Sequence, residues 1–301
     1  MRETIPNVHF RETQLPEVGF EIIPLSSLYS KATMGSLNQL YQPHRVTFHN
    51  LIIFTSGNGE HFVDFNTIPV EKNSVVLVNT GQIQAFDEVN KPQGKLIIFT
   101  DEYLAKVAST IDTKIFAPTH LVSSYRQSFK LTINQSNALI NLSQLISTEY
   151  ESSPNIGYLQ VLFAALLTKI SETRPDIYHH HMSPSHIKCF DRFMLDLTQH
   201  YTLTRDANEF ARRIGTSYKT LNKICKMATN RSAKQLIDAF IILEAKRRLS
   251  IDNQQVQQLA DYLGFDEATN FIKYFKKHTL MTPNQFKKTL SVRHLPFQRS
   301  L

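Results

Sequence analysis

Apolar positions along this chain change period twice. From about His44 to Asp101 they come in short, strand-like runs. Phe48-His49-Asn50-Leu51-Ile52-Ile53-Phe54 is β-branched and aromatic and ends at Ser56-Gly57-Asn58-Gly59, a turn signal. Glu60 to Phe65 alternates, Val75-Val76-Leu77-Val78 follows a turn at Glu71-Lys72-Asn73, and Leu96-Ile97-Ile98-Phe99 follows Lys91-Pro92-Gln93-Gly94. Short strands at this spacing predict a sandwich or a small barrel. Several are apolar on both faces, so the wall should pack inward and outward. Residues 1–35, with Pro6, Pro16 and Pro24, read as an extended arm plus a first strand or two.

Residues 134–174 switch to a helical period. Leu139, Leu142, Leu145 and Ile146 share one face, Ser153-Pro154-Asn155 interrupts it, and Ile156, Leu159, Leu162, Ala165, Leu166 and Ile170 form a second stripe. Two such helices make a hairpin. Its stripes either join a second copy of the chain or cover the strands. Residues 174–186 then read as a linker. Adjacent histidines at His179 to His181 have no fixed geometry for a metal there.

The last hundred residues contain a repeat. Phe210-Ala211-Arg212-Arg213-Ile214-Gly215 returns 49 positions later as Leu259-Ala260-Asp261-Tyr262-Leu263-Gly264. At an offset of 50, Ile224-Cys225-Lys226 matches Tyr274-Phe275-Lys276, and Ser232-Ala233-Lys234-Gln235-Leu236 matches Thr282-Pro283-Asn284-Gln285-Phe286. Each copy reads as helix, tight turn, second helix and a further capped helix. That is the helix-turn-helix pattern, which lays its second helix in the DNA major groove.

In the first copy Thr204 is the expected N-cap, Gly215 the turn, and Ser217 the cap of a helix over Tyr218 to Met227. Leu221, Ile224 and Cys225 point inward; Lys219, Asn222, Lys223 and Lys226 point outward. In the second copy Asn253 and Asp266 are the expected caps. Phe271 and Phe275 point inward, and Thr269, Asn270, Lys273 and Lys277 are candidates to face DNA. Asn suits adenine, Lys suits guanine or phosphate, and Ala268 suits a thymine methyl. Asp266 and Glu267 would repel phosphate, so this helix start should sit off the backbone. Ser232 with Gln235, and Thr282 with Gln285, are capping boxes. Between the copies, Ala233 to Leu249 predicts one helix with Leu236, Ile237, Phe240, Ile241 and Leu249 as its apolar side. About 17 residues span roughly 25 Å at 1.5 Å each, enough to set two recognition helices about one DNA turn apart.

Charge agrees with this reading. From Ser185 onward there are 20 Lys and Arg against 10 Asp and Glu, whereas residues 1–184 hold 13 against 16. A basic half beside a slightly acidic one implies a polyanionic partner for the C-terminal part alone. Cys189 and Cys225 form neither a disulfide framework nor a zinc spacing, which suits a reducing compartment. The first residues carry no signal-peptide pattern, and the apolar stretch Leu159 to Leu167 is far below the roughly 18 residues of a span. A cytoplasmic protein with no membrane partner is expected.

The segment Arg192 to Lys288 resembles the AraC/XylS family of bacterial transcription regulators. The resemblance is carried by Leu259-Ala260-Asp261-Tyr262-Leu263-Gly264-Phe265-Asp266, Phe271-Ile272-Lys273-Tyr274-Phe275-Lys276-Lys277 and Thr282-Pro283-Asn284-Gln285-Phe286. It implies two helix-turn-helix units reading successive major-groove segments of duplex DNA. Base-contacting slots then fall on Lys219, Asn222 and Lys223, and on Ala268, Thr269 and Lys273. Leu280 stands where the family usually has glycine, which suggests a different helix end; Asn230 replaces the matching glycine of the first copy. The stretches Pro43 to Leu51, Ser56 to Gly59 and Asn79 to Gln84 are similar to the cupin-type effector domain of many members.

The expected fold class is therefore α+β. A cupin-like β-barrel with a helical hairpin spans residues 1–175, a linker 176–187, and an all-α double helix-turn-helix domain 188–301. The resemblance further implies a small-molecule effector, a homodimer and RNA polymerase as partners. Phe48 and Asn50 share a strand face with Ile52 and Phe54, and with His44 and Gln84 they are the candidate effector residues. Two alternatives are open: a regulator whose barrel is purely structural, and a cupin enzyme. Metal cupins need a tight His/Glu cluster, but His44, His49 and His61 are scattered along the sequence. No metal, cofactor or catalytic residue is expected.

Overall fold

The computed structural model describes residues 6–8, 18–34, 39–108, 128–152, 154–173, 182–251 and 255–292. The chain divides into two compact units, residues 5–115 with 127–175, and residues 176–294.

The first unit contains, in order, β1 (Asn7–Val8), β2 (Phe20–Pro24), α1 (Leu25–Thr33), β3 (His44–Val46), β4 (His49–Ser56), β5 (Asn58–Val63), β6 (Asn66–Glu71), β7 (Ser74–Val78), β8 (Ile83–Phe86), β9 (Gln93–Phe99), α2 (Asp101–Ala108), β10 (Ser128–Lys130), α3 (Ile133–Ser152) and α4 (Ile156–Thr173). The strands form two sheets of five, ordered β1-β3-β8-β5-β6 and β10-β7-β4-β9-β2. Their inner faces share one core, to which the first sheet contributes Val46, Val63, Val70 and Phe86 and the second Ile52, Phe54, Val76, Val78, Leu96 and Ile98. This is the expected α+β class. Among the described residues the strands remain two facing sheets and do not close into a barrel.

The second sheet is covered on its outer face too. Phe20 and Phe99 project there against Phe163 of α4, with ring centroids 5.3 and 4.9 Å apart, and Tyr103 of α2 stacks on Phe20 at 4.8 Å. A strand buried on both sides needs apolar residues without alternation. That explains the unbroken run in β4.

Two expectations need correction. The proline-containing start holds a helix, α1, not only extended chain: Leu25, Leu28 and Tyr29 are buried at helical spacing behind Pro24 as N-cap. In the hairpin, the inward face of α3 is Ser136, Leu139, Ser143, Ile146, Ser147 and Tyr150, while Leu145 is exposed. The buried serines have polar partners: Ser136 Oγ donates to Asn73 Oδ1 at 2.6 Å, Ser143 Oγ to the Ile140 carbonyl at 2.8 Å, and Lys95 reaches over from β9 to the turn around Ser147. Its Nζ donates to the Ser143 carbonyl, the Gln144 side chain and Ser147 Oγ at 3.1, 2.9 and 2.7 Å. An apolar-stripe reading cannot detect a helix docked on an ammonium group. In α4, Phe163 and Leu167 are buried where Ile156 and Ala165 were expected. Among the described residues no helix is long and apolar enough to cross a membrane.

The second unit is helical: α5 (Pro184–His200), α6 (Ala207–Arg213), α7 (Tyr218–Thr229), α8 (Ala233–Ile251), α9 (Val256–Tyr262), α10 (Ala268–Thr279) and α11 (Pro283–Val292). Helix α5 starts inside the segment expected to be linker, with Ser183 accepting the His186 N–H as N-cap and Pro184 at the first position. His179 to His181 lie outside the described residues.

The repeat survives at the level of individual hydrogen bonds. After α6 the Thr216 N–H bonds the Ala211 carbonyl at 2.9 Å, and after α9 the Phe265 N–H bonds the Ala260 carbonyl at 2.9 Å. Gly215 and Gly264 take φ of 74° and 71° in these turns. That six-to-one bond with a left-handed residue is a Schellman closure. Thr229 and Thr279 each bond back to the carbonyl four residues earlier, at 2.8 Å. Both capping boxes close, Ser232 with Gln235 and Thr282 with Gln285.

Three expected caps shift. Asp206, not Thr204, caps α6, and Thr204 instead accepts the Asp206 N–H. Gln255 caps α9, and Asn253 lies outside the described residues. Glu267, one residue beyond Asp266, is the N-cap of α10.

Leu280 ends α10 in the same left-handed conformation that Asn230 uses after α7, with φ of 64° and 57°. The helix end is thus built alike in both copies, and the leucine is 87% exposed. A β-carbon in that region costs about 1–2 kcal/mol, and exposed leucine regains little by burial. Leu280→Gly is expected to raise stability by about 1 kcal/mol in urea unfolding. An unchanged or lower midpoint would show that the leucine is not strained.

Candidate functional site

Helices α7 and α10 occupy the second-helix position of each unit. Leu221, Ile224 and Cys225 anchor α7 in the core, and Phe271 and Phe275 anchor α10. These spacings leave the opposite faces outward. Lys219 and Lys223 are exposed on α7; Thr269, Asn270, Lys273 and Lys277 are exposed on α10. Ala268 is half-buried and packs on the core edge. Thr269 Oγ1 donates to Glu267 Oε2 at 2.8 Å, which holds that carboxylate at the leading end of α10.

Asn222 differs from its neighbours. It is half-buried, and its Oδ1 accepts the Ala233 N–H at 3.2 Å. The first N–H groups of a helix have no partner within the helix, so this bond ties α7 to the start of α8. In the second copy Ile272 stands in place of Asn222 and Pro283 in place of Ala233. Proline has no N–H to satisfy. The two substitutions compensate each other, and Asn222 keeps its NH2 group for an outside partner.

Helix α8 joins the two units and is more buried than its apolar side predicts. Glu244 and Arg247 lie inside as an ion pair, 4% and 3% exposed. Asp238 receives Lys234 from its own helix and the Tyr274 hydroxyl of α10 at 2.7 Å.

The segment before α6 docks on the turn of the second unit. Arg205 donates to the carbonyls of Leu263 and Gly264 at 3.2 and 2.8 Å, and its guanidinium lies 3.8 Å above the Phe265 ring. A β-carbon on Gly264 would fall 2.3 Å from the Thr202 carbonyl oxygen, whereas one on Gly215 would meet nothing within 4 Å. The sequence marks both glycines as turn residues but carries no sign of this second demand on Gly264.

Of the effector candidates His44, Asn50 and Gln84 belong to the inner faces of the two sheets, while Phe48 lies in the link before β4, not on its strand face as expected. Phe48 is in the shared core, and Asn50 shares its strand face with Ile52 and Phe54. His44 alternates with Val46 on β3, and Gln84 with Phe86 on β8. His61 joins them from β5. Its Nε2–H donates to Gln84 Oε1 at 3.3 Å, and the Gln84 NH2 donates to His44 Nε2 at 3.3 Å. His44 Nδ1–H in turn donates to the Gln42 carbonyl at 2.9 Å. In this chain His44 must carry a single proton, because its Nδ1 donates and its Nε2 accepts, while His61 needs only its Nε2–H. Burial pushes both pKa values down, that of His61 to about 3. Histidines scattered along the sequence therefore meet in space, except His49, which faces the other way and binds Asp101 at 2.8 Å. His61 was legible in the alternation of Glu60 to Phe65, where it shares the parity of Val63.

Two tandem helix-turn-helix units with basic outer faces define a DNA-binding transcription regulator. Residues 210–289 match the helix-turn-helix domain family. The chain is 23% identical over 257 residues to the transcriptional activator RhaR of Mannheimia succiniciproducens, covering 82% of this chain and 88% of that protein. It is 24% identical over 260 residues to the transcriptional activator PerA of Escherichia coli, again 82% and 88% covered. Among solved structures it is similar to ToxT from Vibrio cholerae, with 13% identity, 90% of this chain and 99% of that chain covered, and a TM-score of 0.43. Residues 210–289 thus form an AraC-type helix-turn-helix domain, and the chain is similar to AraC-family regulators over most of its length.

The unequal surroundings of the two turn glycines give a test. Gly215→Ala should cost only the left-handed strain, about 1–2 kcal/mol. Gly264→Ala adds a clash with backbone and should cost at least about 1 kcal/mol more, read by urea unfolding of the full chain. Equal losses would show that the Thr202 contact yields freely.

Proposed function

We propose that this chain regulates transcription by laying α7 and α10 in two successive major-groove segments of one operator. The observation that carries the reading is the repeat itself. Two basic helix faces recur on two turns closed by the same hydrogen bonds, and one buried helix joins them. At 19 residues α8 is about 28 Å long, of the order of one DNA turn. Lys219, Lys223, Thr269, Asn270 and Lys273 are the proposed base readers, with Asn222 offering its NH2 group and Ala268 its methyl. Lys277 is a proposed phosphate anchor. The named relatives are activators, which favours activation, with RNA polymerase as the further partner and the cytoplasm as the compartment.

The N-terminal part, residues 1–175, joined to the DNA-binding part through 176–187, is proposed as a cupin-like regulatory half. A small molecule between its sheets, touching His44, Phe48, Asn50 and Gln84, would gate DNA binding. Such gating requires different affinities for two states of the protein. The enzyme reading has less support, because among the described residues no reactive pair is assembled around the His44–Gln84–His61 chain.

The proposed homodimer uses the outer face of α4. Tyr158 and Val161 are 47% and 64% exposed, and Ala165 continues the same face. Leu162, by contrast, is buried within its own unit.

Two outcomes are expected. On a duplex selected from random sequences, Lys273→Ala should lose about 1–3 kcal/mol and relax preference at one position, whereas Lys277→Ala should weaken all sequences alike. Equal loss on selected and random DNA for Lys273→Ala would make it a phosphate contact. In sedimentation, Val161→Glu should shift the protein toward monomer without lowering its melting temperature. A wild-type chain that stays monomeric at high micromolar concentration, with and without DNA, would end the dimer proposal.

A further inference from the structure

From the inner face of the second sheet we infer the chemical class of the ligand: a neutral molecule carrying an amide or an equivalent adjacent donor and acceptor on an apolar body, not an anion. The inference rests on the proposed effector site and narrows what that site can take.

Asn50 is 1% exposed, and neither its Nδ2 nor its Oδ1 has a hydrogen-bond partner. Its cross-strand neighbours are Val78 and Ile98, both in the inter-sheet core. Leaving a buried amide wholly unpaired costs about 1–3 kcal/mol per group. Apolar residues fill the corresponding positions around it, so packing alone gives no reason for an asparagine. The Tyr41 hydroxyl, packed against the same core, also lacks a partner.

The connection from β7 to β8, residues 79–82, places Val78 and Gln84 at one end of the sandwich. The two-residue link from β3 to β4 brings Val46 and His49 to the same end. Asn50 on one sheet and the His44–Gln84–His61 chain on the other are therefore close along the strand direction. That chain is internally satisfied, except that Gln84 retains its second N–H.

Charge decides the class. Among the described residues of this unit no lysine or arginine is buried. His44 is neutral because its Nδ1 donates and its Nε2 accepts, and burial disfavours the charged form of His61. The buried carboxylate of Glu21 lies in register with Ile98, itself in register with Asn50. A carboxylate ligand placed there would be a buried charge with no buried lysine or arginine to pair it among the described residues of this unit. A neutral amide would instead exchange two hydrogen bonds with Asn50, whose surroundings are otherwise apolar.

Benzamide and benzoate are nearly the same shape and differ in charge. With the full-length protein, benzamide should bind in calorimetry at least about tenfold more tightly than benzoate, a difference of roughly 1.4 kcal/mol. Asn50→Leu should lose benzamide binding by a similar factor and raise the melting temperature of the ligand-free protein, because the orphaned amide is gone. Benzoate binding as tightly as benzamide would overturn the inference. So would the absence of binding by either probe, or a lower ligand-free melting temperature for Asn50→Leu. Benzamide binding through Asn50 with no change in affinity for the selected duplex would uphold the ligand class and end the gating proposal. Preference for benzoate with a change in DNA affinity would do the reverse.

Discussion

Helix α8 lies inside the second unit, and the placement of both recognition helices follows from how it is held. Leu236, Ile237, Phe240, Ile241 and Ala245 pack into one core shared by both helix-turn-helix units. At its start the Ala233 N–H is bonded by Asn222 from α7. One turn on, Asp238 accepts the Tyr274 hydroxyl from α10. A single helix thus touches both second helices through directional bonds as well as through apolar contact. Buried polar groups cost free energy unless satisfied, so these contacts also penalise alternative placements.

A second tie bypasses α8. Arg205 and Thr202 meet the turn of the second unit directly, and Tyr201 reaches Tyr262 hydroxyl to hydroxyl at 3.1 Å. Two independent links between the two helix-turn-helix repeats make their relative orientation a property of the fold. For a protein that reads two groove segments, that orientation sets which operator spacing can be read without deforming DNA or protein.

In the first unit the balance is different. One sheet is buried on both faces by apolar and aromatic side chains, yet the inner faces also carry Asn50, His44, Gln84 and His61. Three of these satisfy one another and the fourth does not. A polar group kept in a core at a cost to stability is a common mark of a functional position.

The features legible from sequence are short in range. The turn glycines, Ser217 as cap, the two capping boxes and the inward phenylalanines of α10 each depend on residues within five positions, so the repeat reveals them directly. The strand faces of β4 followed from period two, and Asn50 with them. Caps at Asp206 and Glu267 missed by one or two residues, because several acceptors compete at a helix start. What tertiary structure decided involves partners far apart in the chain. Lys95 and Asn73 met Ser147 and Ser136 on the inward face of α3; Gln84 brought His44 and His61 together; Thr202 placed on Gly264 a second demand that Gly215 does not carry. Periodicity reports which side of an element is buried, but not what lies opposite. That depends on sheet register and on how elements cross, which are set by packing of the whole unit rather than by any local stretch of sequence.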